Sequence, residues 1–253
     1  MNKKPEAYTL ITGASSGIGQ AIALRLSKSR KLILHGRNEE RLLETLALCE
    51  NENLGHLIWR KDLRQAENIG YVLAEFLLEK QAIVDGFIHC AGVVSILPAR
   101  SLSYQHTQDI MNVNFVSAME IISTLVKKKV NSSYLHNILF ISSIWSQFGA
   151  KGYTLYCASK GALDSSMRAL ALELAPNIRV NSLVLGAIKT SMAEAAFSDP
   201  HIVSNLALQY PLNVGKPEDV VGIAEFLISD QAKWITGQQI VVDGGRTINM
   251  SLK

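Results

Sequence analysis

Cysteine is scarce in this chain, with three residues, at 49, 90 and 157, among 253. An odd number at scattered positions supports neither a disulfide framework nor paired metal-ligand spacing, so no metal and a reduced, cytoplasmic setting are expected. Long apolar runs are missing too. None approaches the about 18 residues that a membrane helix needs, and Met1-Asn2-Lys3-Lys4-Pro5-Glu6 leads into the first apolar segment without a signal-peptide core. Charge of one sign is equally scarce: 25 Lys and Arg against 22 Asp and Glu leave a net of +3, and charged residues make up 19% of the chain. Basic and aromatic residues do not alternate as a nucleic-acid surface requires, so neither nucleic acid nor membrane is an expected partner. The conspicuous basic run, Lys127-Lys128-Lys129, reads as a solvated helix end whose cations complement the dipole, against the alternative of a docking patch.

What is present is apolar: 48% of residues, enough to bury one large core and to fold residues 1–253 as a single domain. Short apolar runs near 8–12, 31–35, 55–59, 83–89, 136–142, 178–184 and 239–242 alternate with longer amphipathic stretches. The alternation predicts an α/β fold, a Rossmann-like, doubly wound, seven-stranded parallel sheet with helices on both faces. Such sheets hold ligands beyond the carboxyl ends of their strands, where Gly13, Gly36, Asp62, Gly92, Ser143 and Gly186 fall.

Directly after the first apolar run stands Thr12-Gly13-Ala14-Ser15-Ser16-Gly17-Ile18-Gly19, followed by apolar positions at helical spacing. Strand, tight turn and helix succeed one another. Glycine at 13, 17 and 19 lets the main chain approach a ligand closely, and free amides at the positive end of the helix suit a pyrophosphate. A dinucleotide site follows from that context.

Tyr156-Cys157-Ala158-Ser159-Lys160 adds proton chemistry, because positions 156 and 160 share one face of a helix. A phenol with its ordinary pKa of about 10 is a poor base at neutral pH. An ammonium about 4 Å away is worth about 4 kcal/mol at an effective dielectric of about 20, before desolvation opposes it. Lys160 is therefore expected to make Tyr156 more acidic, so that the phenol donates a proton to a carbonyl oxygen in reduction and withdraws it in oxidation. Ser143, thirteen residues before Tyr156, ends an apolar strand where its hydroxyl can bond the reacting oxygen, and Ser142 competes for that role.

Taken in order, the glycine turn, Ala91-Gly92, Asn114, Ser142-Ser143, Tyr156 with Lys160, Val180-Asn181, and Thr236-Gly237-Gln238 leading to Val242-Asp243-Gly244-Gly245 resemble the compact type of short-chain dehydrogenase/reductase over nearly the whole chain. The resemblance implies hydride exchange between a nicotinamide cofactor and an alcohol or carbonyl, with Asn114, Ser143, Tyr156 and Lys160 catalytic. Family spacing favours Ser143 over Ser142. Asn114 then fixes a helix irregularity and a water that serves Lys160, or is simply a buried amide satisfying backbone groups. Cofactor contacts are implied for Gly13, Ser15, Ser16, Gly17, Ile18, Gly19, Ala91, Gly92, Tyr156, Lys160 and Gly186. Asp62 and Leu63 are implied at the adenine, and Ile188 and Thr190 at the carboxamide, with capping of the next helix the competing explanation for Thr190. NAD-preferring relatives carry a carboxylate at the position of Gly36. Here Arg37 follows instead, a planar cation for a 2'-phosphate with Ser15 and Asn38 as helpers, which favours NADP(H) over NAD(H) although the glycine turn itself carries no basic residue.

Departures from the family pattern are local. His89-Cys90-Ala91-Gly92 replaces Asn-Asn-Ala-Gly, so the packing must differ there, and Leu185-Gly186 replaces Pro-Gly, which removes a fixed backbone angle. Ser143, Trp145, Gln147 and Tyr156 are expected at the substrate, under a lid around 190–213 whose Met192 and Phe197 suit an apolar wall. Gly215-Lys216-Pro217-Glu218-Asp219-Val220 and the closing Asp243-Gly244-Gly245 are similar to 3-oxoacyl-acyl-carrier-protein reductases, which implies a small carbonyl or alcohol substrate with acyl thioesters among the candidates. Ala175-Pro176-Asn177-Ile178 lacks the arginine that meets an acidic carrier. Reduction of a sugar, polyol or steroid, and a catalytically silent NADP-binding regulator, stay open. An epimerase or dehydratase fits less well, for want of its glycine spacing and longer C-terminal part. Relatives assemble as homotetramers, and the small apolar surface from Gly161 to Leu172 suits such pairing or burial within one subunit.

Overall fold

The computed structural model describes residues 7–190, 206 and 208–249. The chain alternates β1 (Tyr8–Thr12), α1 (Gly17–Ser27), β2 (Lys31–Gly36), α2 (Glu39–Leu48), β3 (Leu57–Arg60), α3 (Ile69–Glu79) and β4 (Val84–His89). It continues through α4 (Tyr104–Met111), a π-helical turn (Asn112–Val116), α5 (Ser117–Leu125), a short α6 (Lys128–Asn131), β5 (Asn137–Ser143), α7 (Thr154–Glu173), β6 (Arg179–Leu185), α8 (Glu218–Ile228) and β7 (Gln239–Val242). All seven strands run parallel in the order β3-β2-β1-β4-β5-β6-β7. Chain direction across the sheet reverses between β1 and β4, and the crevice there opens at the carboxyl ends of the strands.

Strand parity builds two cores. Leu10, Ile33, Phe87, Ile138 and Phe140 point to the face covered by α3, α5 and α7, while Ile11, Leu34, Ile88, Leu139 and Ile141 point to the face covered by α1, α2 and α8. Burying each such side chain stabilises the fold by about 1.5–3 kcal/mol. Strands covered on both sides read as continuous apolar runs, which is why the sequence locates all seven. The boundaries of β1 and β7 are as expected, and those of the other strands differ by at most two residues. The third strand, expected from 55, starts at Leu57 because Gly55 is still turning with φ +69° and the His56 ring accepts from the Leu32 amide. β5 runs one residue beyond its expected end, so Ser142 and Ser143 close the strand.

On α7, Leu163, Met167 and Ala171 face the core whereas Leu172 is 84% exposed, which divides the expected apolar surface between interior and exterior. Lys127, Lys128 and Lys129 lie exposed just beyond α5. Among the described residues no helix is long and apolar enough to cross a membrane.

Candidate active site

The glycine turn lies where β1 meets α1. Gly13 and Gly17 have φ of +69° and +55°, left-handed values that side chains resist. A Cβ at Gly13 would stand 2.9 Å from the Ala91 Cα, and one at Gly17 would stand 3.1 Å from Thr190 Cγ2. Only hydrogen fits at the first of these, so the turn abuts the segment after β4. Ser16 precedes α1 with extended backbone and its side chain does not cap the helix, which leaves the first-turn amides to a ligand.

In front of the turn opens a cleft of about 590 Å³. Ser15, Ser16, Ile18 and Gly19 line it beside Gly13 and Gly17, with Arg37 and Asn38 from the end of β2, Asp62 and Leu63 from the end of β3, and Ala91, Gly92 and Thr190. Gly186, Ile188, Tyr156 and Lys160 stand outside these walls. Ile188 pairs with Gly215, and the Ala187 amide donates to the Tyr210 hydroxyl at 3.0 Å, so this loop is held from behind by Gly215 and by Tyr210, which the sequence reading did not name. The cleft fits a dinucleotide: bare glycine walls, free helix amides, and a far end rich in cations.

That far end holds more charge than the sequence reading assigned. Arg41, Lys61 and Arg64 line the cleft together with Arg37, against the single carboxylate of Asp62. Arg41 was legible as the residue one helical turn after Arg37, whereas Lys61 and Arg64 come from another strand end. Asn38 caps α2, its Oδ1 accepting from the Arg41 amide at 2.9 Å. Ser15 Oγ sits against Gly36, 3.2 Å from where a Cβ would be.

Behind Gly92, α7 brings Tyr156 and Lys160 toward the ends of β4 and β5. The Ser143 hydroxyl stands close enough to the Tyr156 phenol to favour its ionisation, and its Oγ accepts from the Trp145 amide at 3.3 Å. Ser142 is occupied elsewhere, donating to Asp164 Oδ2 at 2.8 Å in the buried interior. The two adjacent serines therefore serve different residues of the same helix. Lys160 is buried, donates from Nζ to the Ile141 carbonyl at 2.8 Å, and lies 5.8 Å from the centre of the Tyr156 ring.

Electrostatics here correct one expectation. Lys160 was expected to make the phenol more acidic, but burial pushes Tyr156 up to about 12, only partly offset by the Ser143 hydroxyl. Lys160 itself is lowered to about 8, chiefly by desolvation. The sequence supplies the charge but not the dryness of its surroundings, and in the protein alone dryness dominates.

Asn114 lies within the π-helical turn and is fully buried. Its Oδ1 accepts from the Val93 amide at 2.7 Å, and its Nδ2 donates to the Val93 carbonyl at 3.0 Å and to Ser159 Oγ at 2.9 Å. The side chain thus braces the loop after β4 against α7, and what faces the polar interior is its backbone carbonyl. That carbonyl accepts from His89 Nε2 at 3.3 Å, while His89 Nδ1 pairs with Thr12 Oγ1 at 2.9 Å. Carbonyls only accept, so Nε2 carries the ring proton and Nδ1 receives the Thr12 hydroxyl. Burial, and then the Lys160 charge, lower His89 to about 3 and keep it neutral. Cys90, beside it, is pushed up to about 12 by burial.

On the substrate side, Trp145 and Tyr153 have ring centres 5.6 Å apart, and Tyr153 meets Tyr156 edge-on at 6.3 Å. Tyr153 extends an aromatic wall of which the sequence reading named only Trp145 and Tyr156. Gln147 is exposed. Met192, Phe197 and most of the expected lid lie outside the described residues.

A doubly wound sheet with a dinucleotide cleft, a phenol and a lysine at its carboxyl edge defines a nicotinamide-dependent oxidoreductase, and known proteins agree. A family model described as enoyl-(acyl carrier protein) reductase matches residues 13–247. Glucose 1-dehydrogenase of Gluconobacter oxydans is 29% identical over 94% of this chain and 91% of its own length. The 3-oxoacyl-[acyl-carrier-protein] reductase of Rickettsia conorii is 32% identical over 94% and 95%. A solved 4-hydroxyisoleucine dehydrogenase complexed with NADH superposes with a TM-score of 0.88 at 31% identity, covering 96% of this chain and 99% of that one. The chain belongs to the short-chain dehydrogenase/reductase family and is an NAD(P)-dependent oxidoreductase acting on CH-OH groups.

Proposed function

We propose that the protein interconverts a carbonyl and a secondary alcohol with NADP(H), acting on a 3-oxoacyl compound. The observation that carries this reading is Tyr156, close to Ser143 and one helical turn from the buried Lys160, beside the cleft. When bound, the cofactor supplies the hydride and, once oxidised, a positive charge near the phenol. At neutral pH a phenol near 12 holds its proton, so Tyr156 enters reduction as the acid and releases that proton to the substrate oxygen. Ser143 donates a hydrogen bond to the same oxygen as negative charge develops on it. Lys160 stabilises the tyrosinate left behind, and the Asn114 side chain braces the helix that carries both through Ser159. Four cations against one carboxylate at the adenosine end support NADP(H), since a 2'-phosphate attracts Arg37 and Arg41 and no acidic residue stands at Gly36.

The Rickettsia relative supports the 3-oxoacyl substrate. A sugar or polyol is the second reading, favoured by the Trp145 and Tyr153 wall, on which a sugar ring can lie, and by the similarity to the Gluconobacter enzyme. Exposed Leu172, Trp234 and Val241 support assembly as a homotetramer. Three free cysteines suit the cytoplasm.

Cofactor absorbance at fixed NADPH or NADH, with acetoacetyl thioesters, aldoses and polyols in turn, tests the reading. Faster turnover of acetoacetyl thioesters with NADPH is the expected result. Turnover of aldoses alone selects the second reading, and tight NADPH binding without turnover of any carbonyl identifies a silent regulator.

A further inference from the structure

The proton-transfer helix carries a third buried polar residue that the mechanism above does not use. Tyr156, Lys160 and Asp164 recur every four residues, so they line one stripe of α7, and Lys160 and Asp164 are both buried against β5. Their anchors on that strand are adjacent: Lys160 holds the Ile141 carbonyl, and Asp164 holds the Ser142 hydroxyl. One oxygen of Asp164 accepts that hydroxyl, while the other, Oδ1, is buried without a hydrogen-bond partner. A buried carboxylate oxygen with no donor needs a nearby cation to be tolerated, and Lys160 sits one turn away.

We propose that Asp164, held in place by Ser142, is a positioning residue that keeps the Lys160 ammonium charged for proton transfer. The inference rests on the reading of Tyr156 and Lys160 as the proton-transfer pair. Among the described residues, the titratable groups in contact with Lys160 by charge are Asp164 on its own helix and Cys90 and His89 from the end of β4. His89 and Cys90 are both held neutral by burial, which leaves Asp164 as the source of negative charge. Tyr156 shares the helix and is neutral at working pH. β5 and the π-helical turn present only the Ile141 carbonyl, the two serines and the Asn114 amide. α4 packs on the same helix and carries Tyr104, His106 and Asp109, none coupled to Lys160, and Arg179 stands at the opposite end of β6. Burial disfavours the Lys160 ammonium, and Asp164 is the leading influence that raises its pKa against that, leaving it at about 8. The sign follows directly: activity that depends on the ammonium is lost as pH rises through about 8, and loss of Asp164 moves that limb toward lower pH.

The test compares Asp164→Asn, nearly the same shape without the charge, and Ser142→Ala with the unmodified enzyme. Carbonyl reduction with NADPH is followed from pH 6 to 9, and the side-chain nitrogen of Lys160 is titrated by NMR in lysine-labelled protein without cofactor, its signal assigned by loss in Lys160→Arg. In Asp164→Asn both the alkaline limb and the titration midpoint move down by about one pH unit or more, so that activity at pH 8 falls about fivefold or more while activity at pH 6 is nearly retained. Ser142→Ala moves both in the same direction by less, and decides the matter if the first variant does not fold. Midpoints and limbs that coincide with the unmodified enzyme overturn the proposal, even where overall activity has dropped. Failure of the underlying reading looks different: Tyr156→Phe then keeps full turnover, whatever the lysine titration shows.

Discussion

The two ends of the sheet differ in what their polar groups do, and the difference locates the chemistry better than size does. At the amino end lies the larger hollow, about 820 Å³, lined by Arg25, Arg30, Asp85 and Glu225 among others. Its charges close on one another. Arg25 meets Glu225 at 2.8 Å and Arg30 meets Asp85 at 3.3 Å, while Arg179 close by satisfies the Leu227 and Ser229 carbonyls at the end of α8. At the carboxyl end the smaller cleft keeps capacity in reserve: free helix amides, and guanidinium groups of Arg37 and Arg41 that form no ion pair among the described residues. Groups already satisfied stabilise a fold, and groups held ready without a partner bind and react.

Substitutions break or sharpen that contrast, and the deepest cut falls at Tyr156. Tyr156→Phe is expected to lower kcat by at least about 100-fold with cofactor affinity unchanged, measured by steady-state rates and NADPH fluorescence. Next comes acid. His35 and His89, both at the carboxyl end, are lowered by burial to about 4 and about 3. The unfolded chain binds their protons near 6.5 and the folded one does not, so stability is lost as pH falls below 6.5 toward those values. At pH 4.5 each costs roughly 2–3 kcal/mol. Thermal melts from pH 7 to 4.5 should therefore fall less steeply for His89→Asn than for the unmodified protein. Arg37→Ala should weaken NADPH binding by about 1.5–3 kcal/mol and leave NADH binding nearly unchanged, by titration of both cofactors. The smallest effect belongs at the other end of the sheet, where Arg25→Ala breaks a partly exposed ion pair. It should cost no more than about 1 kcal/mol in a denaturant melt and leave kcat unaltered.

Much of this was legible in the sequence because it is written locally. Apolar runs gave seven strands, and the glycines at 13 and 17 occupy backbone angles that explain their presence. Spacing put Tyr156 and Lys160 on one face of one helix, as found. What escaped depends on partners from elsewhere in the chain. Lys61 and Arg64 reach the cleft from a different strand than Arg37, and no local pattern joins them. The choice between Ser142 and Ser143 rests on which residue of α7 each one meets. The direction of the Tyr156 shift turned on burial, which periodicity does not measure at a single position. Exchange of two amides for His89 and Cys90 showed that the packing must change, but not that an imidazole would take over the polar duty.

That imidazole has a further consequence. Thr12 is the last residue before the glycine turn, and the Asn114 carbonyl belongs to the bracing of the proton-handling helix, yet one flat ring spans the gap between them. It acts as a crosspiece between cradle and reaction chamber, rigid because both of its nitrogens are engaged. The spacing between the end of β1 and the π-helical turn is therefore set by the width of one imidazole.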